Sequence, residues 1–557
     1  MRVWIRHLSL GAAWVALGAS GSLSGCGGNT KADGMGGGTT RTAETFYVSA
    51  TGSDSNDGLS TSTAWKTISK VDAAAYVSGD QILFHAGDAF SGSIALTAAN
   101  AADHLTISAY GAGAASVLSG QSPCISLTNL SASTVSNLQC TGSGVSSNSA
   151  FGIVVVNSLP GNTRLAGPTI ANNVVSGYGD DGIEVAGTNG TSGFDGITIS
   201  SNQIHDVTGR EADLSDDSAC IRVISNPAYP NPTAHTNVTI TSNIVYNCPG
   251  QAPASNNTGS GILISSVTVA TIAHNLVYHT GTLSATCGGP NGIWAYSSAN
   301  VDINFNETYD NETNLNAGGC DGNGFDLDGG VTNSIVQYNY SHDNFGADFL
   351  VYAYHDSTQP QWSGNTFRYN IGQNSARAFL IANDDSLSMT SCYIYNNTLF
   401  DPVAIVGMNA HAPINCLFAN NIFFTADSSG VAFNVPNPSS IRMVGNDYFG
   451  TGAWVWSTVS YPSFTAWQSA TGQEVLLGSQ VGTTTDPQLV SPGEGPTTNG
   501  YNPAALNAYR LLPGSPMIGT GLDLRALYGI DVGTQDFFGS SIQNTSGNFN
   551  IGADGEE

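Results

Sequence analysis

Positive charge is what this chain has least of. Lys and Arg together number 14 in 557 residues, against 41 Asp and Glu, and the net charge is −27. Such a chain repels nucleic-acid phosphates and anionic membrane surfaces, so neither is expected as a partner. Lysine is confined to Lys31, Lys66 and Lys70, all near the N-terminus. Charged residues of both signs make up just 10% while 41% of the chain is hydrophobic, a composition that excludes general disorder. No C-x-x-C pair or Cys/His cluster is present, so zinc is not expected. Long helical patterns are missing as well.

What is present is a repeat. An asparagine opening a short β-rich string returns at Asn173, Asn202, Asn243, Asn275, Asn306, Asn339, Asn370, Asn397, Asn421 and Asn446. The steps are 29, 41, 32, 31, 33, 31, 27, 24 and 25 residues. That period marks stacked repeats, each burying its apolar face against its neighbours. Short strand patterns separated by Gly, Asn, Asp and Ser make each repeat one coil of an all-β solenoid, whose core grows linearly with length. The asparagines read as scaffold: Asn tolerates the left-handed backbone of tight turns, and stacked amides bond along a ladder.

The N-terminus reads as a targeting segment, residues 1–25. Arg2 and Arg6 precede an apolar stretch from Leu8 to about Leu17. Leu23-Ser24-Gly25-Cys26 resembles the lipobox of bacterial lipoproteins, which implies a lipid on Cys26, export, and a membrane attachment through that lipid alone. Residues 26–45 are a Gly-rich tether. Residues 46–120 read as a cap with first coils, 121–450 as the repeats, and 451–557 as terminal coils and cap. In the cap, Trp65, Ile68 and Val71 fall on one helical face, with Ser62 or Thr63 as N-cap. The run Gly52-Ser-Asp-Ser-Asn-Asp-Gly58, the string Trp65-Lys-Thr-Ile68 and the segment from Gly79 to Phe90 resemble the N-terminal cap of the pectate-lyase-like superfamily. The closing segment from Tyr509 to Gly521 resembles that superfamily as well. The resemblance implies a single-stranded right-handed parallel β-helix. It implies little about activity, since that superfamily includes lyases, hydrolases, epimerases and non-catalytic proteins.

Eight cysteines follow Cys26, an even number that suggests disulfides in an exported chain. Cys392 and Cys416 each precede a repeat asparagine by five residues, so they should stack on successive coils ~4.8 Å apart. Pairing of neighbours would join Cys124 with Cys140, Cys220 with Cys248, Cys287 with Cys320, and Cys392 with Cys416. Buried free thiols are the alternative.

A second column of strands aligns between the asparagines: 181–186, 219–224, 260–265, 291–296, 323–328, 347–352 and 377–382. The third residue of each is Ile or Phe and should face the core, so the fourth and sixth should face outward. Those outward positions bring Glu184, Arg222, Trp294, Asp326 and Tyr296, Asp328, Tyr352 onto one external sheet. Asp326 and Asp328 should lie ~7 Å apart on the same face. Two carboxylates so placed can divide acid and base, or acid and nucleophile, around a glycosidic bond. Trp294, Tyr296 and Tyr352 offer faces for sugar rings. Asp181, Glu184, Arg222 and His355 extend the groove. The same oxygens also suit Ca2+: Asp321 with Asp326 and Asp328 in one cluster, and Asp213, Asp216 and Asp217 in another. Solvated turn acids are the bland alternative.

With lysine restricted to the tether and cap, a lysine-based β-elimination on the coils is disfavoured. Arg222, Arg368 and Arg377 keep an arginine-based, calcium-assisted lyase open. The pairs Asp180-Asp181 and Asp216-Asp217 resemble an aspartate segment of polygalacturonase-type hydrolases, whose G-H-G and R-I-K strings are absent here. The expectation is therefore a monomeric, lipid-anchored protein acting on polysaccharide or oligosaccharide, with acid-pair hydrolysis ahead of elimination. A non-catalytic glycan-binding lipoprotein is the reading from another class.

Overall fold

The computed structural model describes residues 41–555 except 190–191, 211–216, 226–233, 253–256, 286–288, 318, 354–359, 384–388, 409–413, 434–437, 451 and 543–548. Ala43–Glu557 form one compact unit. One coil shows the plan. Strand Val267–Ala273 leads through a tight turn at Asn275 into strand Leu276–Thr280; a longer loop leads to strand Asn291–Tyr296, and Ala299–Asn304 begins the next coil. Each strand pairs in parallel with its counterpart one coil on. Among the described residues this builds a 16-stranded sheet holding the first column and a 24-stranded sheet holding the other two. The molecule is a right-handed parallel β-helix.

The core follows from alternation. Ile240, Ile272 and Ile303 of the first column, Ile204, Val245 and Val277 of the second, and Ile221, Ile262 and Ile293 of the third are fully buried in one continuous cluster. The register aligns Ile183, Ile221, Ile262, Ile293, Phe325, Phe349 and Phe379 in one row, as the sequence alignment predicts.

All ten repeat asparagines join one buried ladder. Asn275 Nδ2 donates to Asn306 Oδ1 at 3.0 Å while its backbone N–H donates to the same oxygen at 2.9 Å. The second amide hydrogen goes to Ile240 O at 2.9 Å. At the far end, Asn446 Nδ2 donates to Glu474 Oε1 at 2.8 Å, so a carboxyl terminates the series. The expected reason for asparagine needs correction. The left-handed residue is the one before it (Ser242, His274, Phe305 and Tyr338, with φ of 58, 56, 55 and 57°). The asparagine itself is selected for its two-sided amide.

The cap also departs from expectation in detail. Trp65, Ile68 and Val71 are buried, but helix Ile68–Asp72 starts later than predicted, with Thr67 as N-cap. A short 3-10 turn at Thr61–Thr63, capped by Ser60, comes first, and the Asp54 carboxylate then accepts from Lys66 N, Thr67 N and Thr67 Oγ1 at 2.8, 3.0 and 2.8 Å. At the other end Trp454, Trp456 and Trp467 close the core. Beyond them the chain does not continue the coils. It returns along the outside, where Leu489, Leu506, Tyr509, Met517 and Phe537 pack on Tyr338, Tyr340, Tyr369 and Tyr395.

Several carboxyls sit inside this body, Asp401, Glu474, Asp348 and Asp447 among them. Burial pushes Asp401 and Glu474 up to about 7, and pushes Asp348 and Asp447 well above the ordinary range. Asp348 and Asp401 are bridged by Ser375, whose Oγ donates to Asp348 at 2.6 Å and whose N donates to Asp401 at 2.8 Å. Folded-state values above the unfolded ones mean that the native state binds extra protons between pH ~4 and ~7, so stability falls as pH rises through that window. Melting temperature should therefore be higher at pH 5 than at pH 8, with Asp401→Asn flattening the slope. A melting temperature that climbs from pH 5 to pH 8 would contradict this.

Candidate functional site

The outward row of the third column contains the predicted residues in the predicted order: Glu184, Arg222, Leu263, Trp294, Asp326, Leu350 and Leu380 are in lateral register. The expectation of an open face is not met. Trp294 and Asp326 are each 1% exposed and Arg222 is 2% exposed. The reason is local packing outside the main core. Ala219, Leu263, Trp294 and Tyr296 make one small apolar cluster, while Ala347, Leu350 and Leu380 make another with Tyr352. Tyr352 is thus separated from Trp294, with Asp326 between the clusters in the register.

Two charged groups occupy this face. In the first, Arg222 Nε lies 2.6 Å from Asp181 Oδ2 and Arg222 Nη2 lies 2.5 Å from Glu184 Oε2. Arg222 Nη1 donates to the carbonyl of Asp217, whose carboxylate accepts from Tyr296 Oη at 3.3 Å. Burial raises the Asp181 carboxyl well above its ordinary value against the pull of Arg222, and Ala219 N donates to its other oxygen at 2.7 Å. A guanidinium held between two carboxylates keeps its proton, which removes Arg222 as a base. Arg368 is engaged elsewhere, donating to Gln337 at 2.9 Å and to the returning segment at Asp531 O at 2.6 Å.

The second group is an aspartate trio. Asp326 Oδ2 accepts from Asn291 Nδ2 at 3.0 Å, and Asp326 Oδ1 has no hydrogen-bond partner. Burial, then Asp328, then Asp321 push the Asp326 carboxyl well above its ordinary value, so its charged form is disfavoured. Asp321 Oδ2 accepts from Gly289 N at 2.5 Å, and Arg377 lies in its field. Strand Asn323–Leu327 ends one residue before Asp328, contrary to the expected shared strand. Gly329 N donates to Asp328 Oδ1 at 2.5 Å, and this side chain is half-buried. Asp328 is therefore the member of the trio nearest solvent.

Among the described residues no group of three or more His, Cys, Asp or Glu is arranged to hold a metal. Asp321 and Asp217 direct oxygens to protein donors, which does not fit a calcium shell. Asp213, Asp216, His355, Cys26 and Cys287 lie outside the described residues. The disulfides Cys124–Cys140, Cys220–Cys248 and Cys392–Cys416 form as the spacing predicts, and Cys320 is disulfide-bonded too. The paired strands set Cys392 directly opposite Cys416, with Cα atoms 4.4 Å apart.

Three columns of strands wound round one asparagine ladder settle the architecture. The fold is a parallel β-helix. No family model matches the chain. Lacto-N-biosidase of Bifidobacterium longum subsp. longum is 30% identical over 138 residues, 25% of this β-helix chain; the chain spans 8% of that protein's length. Among solved structures, the GH136 lacto-N-biosidase of Eubacterium ramulus is 16% identical at a TM-score of 0.45, covering 67% of this chain and 68% of that one. XylC with xylose matches at a TM-score of 0.42 and 11% identity, over 91% of this chain and 98% of that one. Pectate lyase Pel9A matches at 0.36 and 14%, over 93% and 98%.

Sequence reasoning missed a second feature of this β-helix. Three residues after the ladder asparagines stand His205, Tyr246, Tyr278, Tyr309 and His342, whose rings stack on the outside of the second column. Counting three positions on from each asparagine would have revealed them.

Proposed function

We propose that this β-helix hydrolyses glycosidic bonds in an oligosaccharide or polysaccharide, with Asp326 and Asp328 as its acid pair. One observation carries the reading: a buried carboxyl whose charged form burial and its neighbours disfavour, with an oxygen unpartnered, stands beside a second carboxylate nearer solvent. Carboxyl groups pushed apart in acidity by their surroundings are what glycoside hydrolysis requires, one giving a proton to the leaving oxygen and the other acting as base or nucleophile. Trp294, in register with Asp326, supplies an apolar wall. The local likeness to a lacto-N-biosidase supports a carbohydrate substrate. Arg222 is paired with Asp181 and Glu184, and Arg368 with Gln337 and Asp531 O, which leaves Arg377, pushed down by burial beside Asp321, as the arginine an elimination would have to use.

Incubation with a panel of neutral and acidic glycans tests this. New reducing ends without ultraviolet absorbance are expected, and an unsaturated, absorbing product or no product from any glycan would overturn it. Activity that needs protonated Asp326 falls as pH rises through that group's folded-state value.

We further propose that the chain is exported and held by a lipid on Cys26, through the Leu23–Cys26 string. Wild-type protein should partition into the detergent phase of a Triton X-114 extract and Cys26→Ser into the aqueous phase. Equal partitioning of the two would refute the anchor.

A further inference from the structure

The stacked ring row outside the second column borders a groove of its own. Successive ring centroids from His205 through Tyr246 and Tyr278 to Tyr309 are 4.9, 5.0 and 4.8 Å apart, with interplanar angles of 8, 4 and 3°. Stacking closes the ring faces against one another and turns edges and hydroxyls outward. These four residues are half-buried. The next in the row, His342, is buried where the returning C-terminal segment passes. That segment is fixed by Glu307, whose carboxylate accepts from Thr498 N and Gly500 N at 2.7 Å each. The open stretch is therefore four coils long, with a walled end.

The residue following each open ring, Asp206, Asn247, His279 or Asp310, is left-handed (φ 53, 53, 53 and 49°). This conformation throws its side chain out beside the rings. There a depression of about 410 Å³ is lined by Val145, Asp206, Asn247, Pro249, His279 and Glu312. Of its two acids Asp206 is partnered, with His205 Nδ1 2.7 Å away and Asn247 Nδ2 donating at 3.3 Å, and beside the depression His279 Nε2 lies 3.4 Å from Asp310.

We propose that this groove is a second binding site, taking a neutral oligosaccharide laid along the β-helix axis, apart from the aspartate trio. The class of ligand draws on the carbohydrate reading above; the location does not. Polar side chains, Asp206, Asn247 and His279, follow the ring row on successive coils ~4.8 Å apart, with Thr282 and Glu312 beside them, so hydroxyl contacts can recur along a chain of sugars. Val145 and Pro249 offer apolar surface to ring C–H groups. A net charge of −27 repels polyanions. Because Asp206 already has partners, hydroxyl groups suit it better than a cationic peptide does.

Titration calorimetry of the full chain with cellohexaose, xylohexaose and hexalysine tests the site. Tyr278→Phe/Tyr309→Phe removes two hydroxyls and keeps the stack, and Glu312→Gln removes one charge. Each is expected to weaken hexasaccharide binding about tenfold at unchanged melting temperature, while Asp326→Asn leaves that binding intact. The inference falls if neither hexasaccharide binds, if hexalysine alone binds, or if the tyrosine and Glu312 variants bind as wild type does. It also falls if Asp326→Asn abolishes binding, an outcome that leaves the hydrolase reading standing. Binding in the groove without cleavage of any glycan sinks the hydrolase reading and spares this one.

Discussion

Asp326→Asn and Asp328→Asn are each expected to lower kcat by roughly a hundred- to ten-thousand-fold, the range for loss of a positioned acid or base. The two should differ in their effect on stability. Asp326 is a buried acid whose charged form burial disfavours, and one of its oxygens is unpartnered. Asparagine has the same shape and no charge to desolvate, so its melting temperature should equal or exceed wild type at neutral pH and above. Asp328 is half-buried and accepts from Gly329 N, so its replacement by asparagine should cost little, within about 1 kcal/mol. Loss of turnover without loss of stability is the signature that separates chemistry from misfolding. The measurement is kcat on the glycan that the panel selects, together with thermal unfolding. Retention of activity within about threefold in both variants would remove the trio from the mechanism.

The fold was legible in the sequence because a solenoid is nearly one-dimensional. Once Asn243 and Asn275 are matched, the coils between them are fixed by counting, and the Ile/Phe row and the Cys392–Cys416 pair follow. The outward residues were placed correctly for the same reason. Their burial was not legible, since it depends on lateral packing of Leu263 with Trp294 and of Leu350 with Leu380 outside the core. Alternation says which side a residue faces but nothing about what covers that side. The His205–Tyr309 row was countable from the same asparagines, three positions on from each. The return of the C-terminal segment has no period to count; it is held by contacts across more than a hundred residues, such as Tyr338 Oη to Gln535 O at 3.1 Å.

The largest effect on stability should come from the middle of the asparagine ladder. Asn306 Oδ1 accepts from Asn275 N and Nδ2, while Asn306 Nδ2 donates to Asn339 Oδ1 at 3.0 Å and to Ile272 O at 2.8 Å. Asn306→Ala strands polar groups on both neighbouring coils where no water reaches. At ~1–3 kcal/mol for each buried group left unpaired, the loss is about 3–6 kcal/mol, a large share of a typical domain's total. Asn173, at the start of the ladder, accepts there from Leu138 N alone, so Asn173→Ala should cost less. Asn306→Asp adds a discriminating test. It is isosteric, yet it sets a carboxylate oxygen against Asn339 Oδ1 and Ile272 O, acceptors with no hydrogen to give. Protonation restores one donor, so the folded-state pKa of the introduced acid must be raised, and the variant's stability must fall as pH rises through that value. Chemical denaturation at pH 4.5 and pH 8 should therefore show the aspartate variant recovering part of its deficit in acid, with the alanine variant showing no such recovery relative to wild type. Equal deficits for the aspartate variant at the two pH values would mean that shape, and not the two-sided amide, is what the ladder selects.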